Sequence, residues 1–248
     1  MLILLPPSEG KTRPASGAPL DLDALSFPAL TKVRDLLVRT LVKTSATKTA
    51  AKTLGLGPSQ AGELAINVGL LDEPTARADE VFTGVLFGEL DPATLSAEAL
   101  ARAESSVAIA SGLFGLVRPG DPIPAYRLAG DVTLPRIGTV TSRWKPLLPR
   151  VIADAADGGL VVDLRSGVYV AHGKVPGAAT VRVLQEVDGK RSVVSHFNKA
   201  TKGRIVRALL EDGRDAAAPA DFADLLRDLG WKVEIDGDRL DVVVSEAH

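Results

Sequence analysis

Val107-Ala-Ile-Ala-Ser-Gly-Leu-Phe-Gly-Leu-Val-Arg-Pro-Gly-Asp-Pro-Ile-Pro-Ala-Tyr-Arg-Leu128 begins as a strand and ends as something no regular element needs. Val107 to Ala110 is a short apolar run of the kind buried on both faces of a parallel sheet. Over Ser111 to Leu128 the run gives way to glycines, three prolines and two arginines. Arg118, Tyr126 and Arg127 are thereby expected on irregular backbone at a strand's end, and loops held by a rigid scaffold concentrate binding chemistry.

Outward from that turn, Leu160 to Leu164 is a second run of the same type, and Pro146 to Ala156 between the two reads as helix, a βαβ-like rhythm. Leu2 to Leu5 reads as a third buried strand, followed by a polar loop from Pro6 to Pro19. Apolar residues at 30, 33, 37 and 41 recur at helical spacing within Pro28 to Val42. Two helical patterns flank Leu54-Gly-Leu-Gly57, and another spans Ala93 to Glu104, with Thr94 or Ser96 as its cap. Ala179 to Val187 and Arg191 to Phe197 alternate around Asp188-Gly189, a hairpin signal, and Lys232 to Ile235 with Arg239 to Val244 repeat it around Asp236-Gly-Asp238. Helices at about Ala200 to Glu211 and Ala220 to Leu229 fall between the hairpins. The expectation is an α/β fold, helices around a central mixed sheet, with no internal repeat and no long linker.

Composition narrows the function classes. The 248 residues are 46% apolar and 24% charged, with a formal net charge of −2, so a substantial core is expected and no global positive field. A polyanionic partner must then meet a local patch. The absence of cysteine excludes disulfides, thiolate catalysis and cysteine-ligated metals. The three histidines, His172, His196 and His248, are scattered, so no metal and no cofactor is expected. Met1-Leu-Ile-Leu-Leu5 lacks a basic flank and stops at Pro6-Pro7, short of a signal peptide or a spanning helix, which leads to the expectation of a cytoplasmic protein without a membrane partner.

Several clusters carry candidate chemistry. Ser8-Glu-Gly-Lys-Thr12 invites a phosphate-loop reading, but that motif needs a glycine where this chain has Leu5, and Pro6 and Pro7 remove two backbone donors, so an ordinary NTPase is rejected. Ser8, Glu9 and Lys11 either line a cleft or sit on an ordinary surface loop. Leu54-Gly-Leu-Gly-Pro-Ser-Gln-Ala61 is similar to a helix-hairpin-helix element, in which Gly55 and Gly57 permit a tight turn whose N–H groups face a phosphate. Lys43, Lys48 and Lys52 precede it, the last two on one helical face, and would neutralise DNA phosphates; an αα-hairpin with a glycine cap and a solvated lysine face is the alternative.

Ser195-His-Phe-Asn-Lys-Ala-Thr-Lys-Gly-Arg204 sets Lys199 and Lys202 on one face near a helix start, where two cations oppose the helix dipole unless an anion meets them. Arg204 and Arg207 read as a solvated face, with Arg207 pairing to Glu211, and His196 as a structural histidine. In Asp163-Leu-Arg-Ser-Gly-Val-Tyr169, Ser166 and Tyr169 are pocket candidates beyond a central strand, and Asp163 either joins them or caps the turn and pairs with Arg165. Trp144 is either core or a base-stacking platform.

Taken in order, strand-Pro-Pro-Ser-Glu-Gly-Lys, Ser-Gly-Leu-Phe-Gly-Leu-Val-Arg-Pro, Pro-Ala-Tyr-Arg-Leu, Asp-Leu-Arg-Ser-Gly-Val-Tyr and Phe-Asn-Lys-Ala-Thr-Lys-Gly-Arg resemble the YaaA (UPF0246) family, colinearly over nearly the whole chain. The resemblance implies a single compact YaaA-type domain over residues 1–248, with a helix-hairpin-helix subregion at 43–66. It implies a role in limiting peroxide and iron damage and non-specific binding of duplex DNA through a positive cleft. It also supports Lys11, Arg118, Tyr126, Arg127, Lys199, Lys202 and Gly203 as cleft residues. The alternative is an enzyme acting on a small phosphorylated or nucleotide-like anion, with Arg118 and Lys199 holding the anion and Lys11, Tyr126 or Lys199 as catalytic candidates.

Overall fold

A computed structural model describes residues 1–193 and 195–244, with backbone alone at 59, 61 and 195–197. The main sheet is built from β1 (Leu2–Leu5), β2 (Val107–Ser111), β3 (Gly115–Val117), β4 (Val161–Asp163), β5 (Ala179–Val187), β6 (Lys190–Ser192), β7 (Lys232–Asp236) and β8 (Arg239–Val244). Across the sheet the order is β7-β8-β5-β4-β1-β2-β3, and the end of β5 also pairs with β6. The five strands from β8 to β2 run parallel, while β3, β6 and β7 are antiparallel to their neighbours. The expected mixed α/β sheet is what the chain forms.

Each apolar run reaches the centre for the same reason. β1, β2 and β4 are buried at every residue, which requires cover on both faces and explains why their sequences are continuous rather than alternating. β1 is the axis, with Ile3 paired to Val107 on one side and Leu4 to Asp163 on the other. From β1 the chain moves to β2 on one side, and from β4 it moves to β5 on the opposite side. Adjacent parallel strands whose connections diverge leave a crevice beyond their carboxyl ends, the topological switch point.

Nine helices bear on the account: α1 (Thr31–Ser45), α2 (Ala50–Thr53), α3 (Leu64–Val68), α4 (Val85–Leu90), α5 (Ala97–Ser106), α6 (Leu148–Ala156), α7 (Gly167–Val170), α8 (Ser195–Asp212) and α9 (Pro219–Asp228). Ser96 rather than Thr94 caps α5, its Oγ accepting from the Ala99 N–H at 3.2 Å. The Asp188-Gly189 turn has φ of 49° and 72°, the doubly positive geometry of a two-residue hairpin. The expected strand from Arg191 to Phe197 is shorter: it ends at Ser192, and Ser195 to Phe197 already belong to α8.

The Ser111 to Leu128 turn is fixed by a buried arginine that the sequence reading overlooked. Arg34, fully buried on α1, donates from Nε to Phe114 O at 3.0 Å and from Nη2 to Ser26 O and Leu116 O, both at 2.7 Å. Burial brings its pKa down to about 10, against the pull of Asp121. Asp121 in turn accepts from the Ser26 hydroxyl at 2.6 Å and from the Arg118 N–H at 2.9 Å. Trp144 is core: fully buried, its indole N–H donates to Gly112 O at 2.8 Å.

Candidate functional site

Beyond the carboxyl ends of β1 and β4 lies a cavity of about 770 Å3. The loop after β1 supplies Ser8, Glu9 and Lys11; the loop after β4 supplies Arg165 and Ser166, and α7 supplies Tyr169; Arg127 comes from the irregular turn; Asn198, Lys199 and Lys202 come from the first turns of α8. Leu54 and Gly55 form part of its rim. This is the crevice that the strand connections demand.

Local structure holds each wall. The loop after β1 is pinned to the segment before α4 by Thr12 N–H to Val81 O at 2.9 Å and Thr83 N–H to Gly10 O at 3.2 Å. Lys11, held there, donates from Nζ to Ser8 O at 3.0 Å and Glu9 O at 3.3 Å, over the rings of Tyr126 and Phe82, whose centroids lie 4.4 and 5.4 Å away. Burial is the main cause that brings its pKa to about 7, Arg127 adding to the fall and Glu63 and Glu9 opposing it. Lys202, buried on α8, donates to Leu164 O at 3.2 Å, and burial brings it to about 8 against the pull of Asp163.

The other cations are already matched. Arg127 is ion-paired with Glu9 and, at 3.3 Å, with Glu63. Its backbone is clamped by buried Asn67, which accepts from the Arg127 N–H and donates to Arg127 O, both at 2.8 Å. Arg165, fully buried in its side chain, faces Asp163 with two parallel bonds of 2.8 and 2.7 Å and also donates to Tyr169 O and Gly173 O. Asp163 also accepts from the Arg165 N–H at 3.1 Å, so of its two readings the cap-and-pair one is realised. Among the described residues, Lys11, Lys199 and Lys202 are the cavity lysines, and no carboxylate lies within ion-pair distance of them.

Of the residues singled out from the sequence, Ser8, Glu9, Lys11, Arg127, Ser166, Tyr169, Lys199 and Lys202 line this cavity. Other candidates stand elsewhere. Arg118 is outside the cavity: it donates to Val107 O at 2.8 Å and lies over the Phe27 ring, bracing the far side of the turn. Tyr126 is beneath the cavity floor, its hydroxyl bonded to Ser111 Oγ at 2.7 Å, and burial pushes its pKa far up, which disfavours it as a base. Gly203 lines no wall; it is where α8 touches α4, with Leu86 O only 2.3 Å from where a Cβ would stand.

The hairpin region is shorter than its sequence suggests. Its first helix, α2, has four residues, and a 3-10 turn (Pro58–Glu63) stands where the second was expected to begin. Lys48 sits in the turn before α2, so it does not share a helical face with Lys52; Lys43, Lys48 and Lys52 are all exposed. Gly55 has the positive φ, 66°, that the turn requires, while the Gly57 N–H is taken by Gln60 Oε1 at 3.1 Å. Arg204 pairs with Glu89 and Arg207 donates to Leu90 O, Asp91 O and Thr94 O, so both tie α8 to its neighbours. The His196 side chain and His248 lie outside the description.

Tyr169 completes the polar wall, pushed up to about 12 by burial and by Asp131. Glu9 is held below the usual carboxylate range, chiefly by its hydrogen bond to Arg127. The lysines give a measurable sign. Because folding lowers the Lys11 pKa from 10.5 to about 7, the unfolded chain binds more protons between those values, and stability rises with pH across that window. Lys11→Met should therefore flatten the rise in unfolding free energy between pH 7 and about 10; an unchanged slope in denaturation at several pH values would place the ammonium in water.

No helix among the described residues is long and apolar enough to cross a membrane. The family model for the peroxide stress protein YaaA matches residues 1–235. A UPF0246 protein of Streptomyces coelicolor is 46% identical over 262 aligned positions, covering all of both chains. One from Corynebacterium efficiens is also 46% identical, over 96% of this chain and 97% of its own, and one from Corynebacterium glutamicum is 41% identical over 94% and 95%. With a cavity built from the same blocks that carried the resemblance, and matches that run the length of the chain, this protein belongs to the peroxide stress protein YaaA (UPF0246) family.

Proposed function

We propose that the switch-point cavity holds a phosphorylated, nucleotide-sized anion and that the protein's part in peroxide stress is an enzymatic step on that ligand. The observation that carries this reading is the presence of Lys11, Lys199 and Lys202 in one concave site with, among the described residues, no carboxylate within ion-pair distance of them. Two of these ammonium groups are substantially desolvated, a cost that a bound phosphate offsets. A volume of about 770 Å3 is suited to a small ligand, whereas a duplex would lie across the mouth.

Duplex DNA is the second reading, favoured by one observation: Gly55 lines the same cavity, and exposed Lys52 lies three residues before it. In that case Lys43, Lys48 and Lys52 contact phosphates and binding falls steeply with salt.

Thermal unfolding with nucleotides and sugar phosphates separates the two. A ligand at about 100 times its Kd is expected to add roughly 2.7 kcal/mol of stability, and Lys199→Ala is expected to weaken it about tenfold or more, the loss of a charge-assisted bond worth about 1.5–3 kcal/mol. If no small phosphate stabilises the fold, the enzymatic reading is lost. If a Lys43→Ala, Lys48→Ala, Lys52→Ala variant binds duplex as well as the parent at low salt, the DNA reading is lost.

A further inference from the structure

We propose that Lys11 is the amine of a Schiff-base site, and that the ligand of the cavity is a phosphorylated aldehyde or ketone. The proposal rests on the reading of the cavity as a phosphate site and adds to it a covalent step and a substrate class.

The geometry around Nζ suits an amine more than an ordinary ion-paired ammonium. Its two hydrogen-bond acceptors are both main-chain carbonyls, Ser8 O and Glu9 O. A neutral amine has two N–H groups for these two acceptors and keeps its lone pair. The charged groups that face Lys11 leave little net attraction: Glu9 from its own loop and Glu63 from the 3-10 turn are both paired to Arg127, whose own charge repels an ammonium. The Tyr126 hydroxyl, packed from below, is engaged with Ser111 and is no anion at neutral pH. A substantial neutral fraction at pH 7 follows, which is what a nucleophilic lysine requires.

The rest of the cavity divides the labour. Lys199 supplies positive charge for the phosphate, Lys202 an ammonium that can give up a proton, and Ser166 and Tyr169 supply hydroxyls. In the step itself, the Nζ lone pair attacks the carbonyl carbon while the carbonyl oxygen takes a proton from the Lys202 ammonium, giving a carbinolamine. The carbon–oxygen bond then breaks, the oxygen departs as water with a second proton, released from the attacking nitrogen and relayed to it, and the nitrogen is left doubly bonded to carbon. The net change is amine plus carbonyl plus one proton to iminium plus water, with no oxidant or reductant. The iminium cation forms beside Tyr126 and Phe82, whose ring faces attract positive charge.

Trapping tests it directly. The full chain is incubated at pH 7 with glyceraldehyde 3-phosphate and cyanoborohydride, and the reduced adduct is mapped by peptide mass spectrometry, with thermal unfolding followed in parallel using inorganic phosphate. Expected is an adduct on Lys11 forming at least about tenfold faster than on exposed Lys43, Lys48 and Lys52, slowed by excess phosphate, and absent in Lys11→Arg. Labelling of Lys11 no faster than of those surface lysines overturns the proposal, as does equal labelling by unphosphorylated glyceraldehyde. If phosphate stabilises the fold and Lys11 stays unlabelled, the Schiff base fails while the anion site stands; if phosphate neither stabilises nor competes, both fail.

Discussion

Asp163→Ala is expected to lower the unfolding free energy by about 3–5 kcal/mol, the cost of leaving a buried guanidinium without its partner. Arg165 has a fully buried side chain and spends two of its donors on Asp163, so its charge is left buried without that partner once the carboxylate is gone. Removing both charges should be milder: Asp163→Ala with Arg165→Met should regain part of the loss, because an apolar filling of a former ion-pair site is often neutral. Recovery will be partial, since Tyr169 O and Gly173 O also lose a donor. Denaturant titration reads both variants. A cost below about 1 kcal/mol for the single change would mean that water reaches Arg165. The same substitution should weaken phosphate binding, because the pair holds the turn that carries Ser166 and Tyr169.

Gly203→Ala has the second large effect, and its sign separates two accounts of that residue. In an open helix, alanine would be favoured over glycine by about 1 kcal/mol. Here an added Cβ would stand 2.3 Å from Leu86 O and 2.8 Å from Glu89 Cβ, so α8 and α4 must part. Overpacking of this kind costs about 1–3 kcal/mol, and since the obstacle is backbone rather than a flexible side chain, the upper part of that range is expected. A melting temperature equal to or above the parent's would show that Gly203 is no contact point. Leu86 also lines the cavity, so the variant should lose ligand affinity along with stability.

Gly203 illustrates how far the sequence could be read. Its place in a dense polar block suggested a cleft residue, yet what the position needs is the absence of a side chain, a demand set by α4 more than a hundred residues earlier. The parallel strands were legible because burial on both faces writes itself as a continuous apolar run, as in Leu2 to Leu5 and Val107 to Ala110. The two-residue hairpin at Asp188-Gly189 was legible because positive φ selects its residues locally. Strand order was not, for no residue announces that β1 lies between β2 and β4.

The site divides in the same way. Lys11, Ser166, Tyr169, Lys199 and Lys202 follow strands or begin a helix, and a rule about strand ends finds them. Arg118 shares its segment with Arg127 and was indistinguishable from it by composition; only the folded turn sends one guanidinium to Val107 O and the other to Glu9. Asn67 was missed because a single asparagine in a short helix carries no pattern, although it fixes the backbone of Arg127 from both sides. Arg34 was missed because helical periodicity counts it as polar and so expects it in solvent, whereas three carbonyls receive it in the core.

The central place of β1 has a consequence for how the chain is made. Its partners are Val107 to Ile109 on one side and Val161 to Asp163 on the other, more than a hundred residues along the chain. β1, apolar at every position, therefore gains its second neighbour only once β4 has been made. Closing that span is entropically costly, and docking β4 beside β1 is the step that sets the loop after β4 against the loop after β1. A nascent chain halted before Asp163 would hold Lys11 with no opposite wall, and whatever the cavity binds should become bindable only after that strand docks.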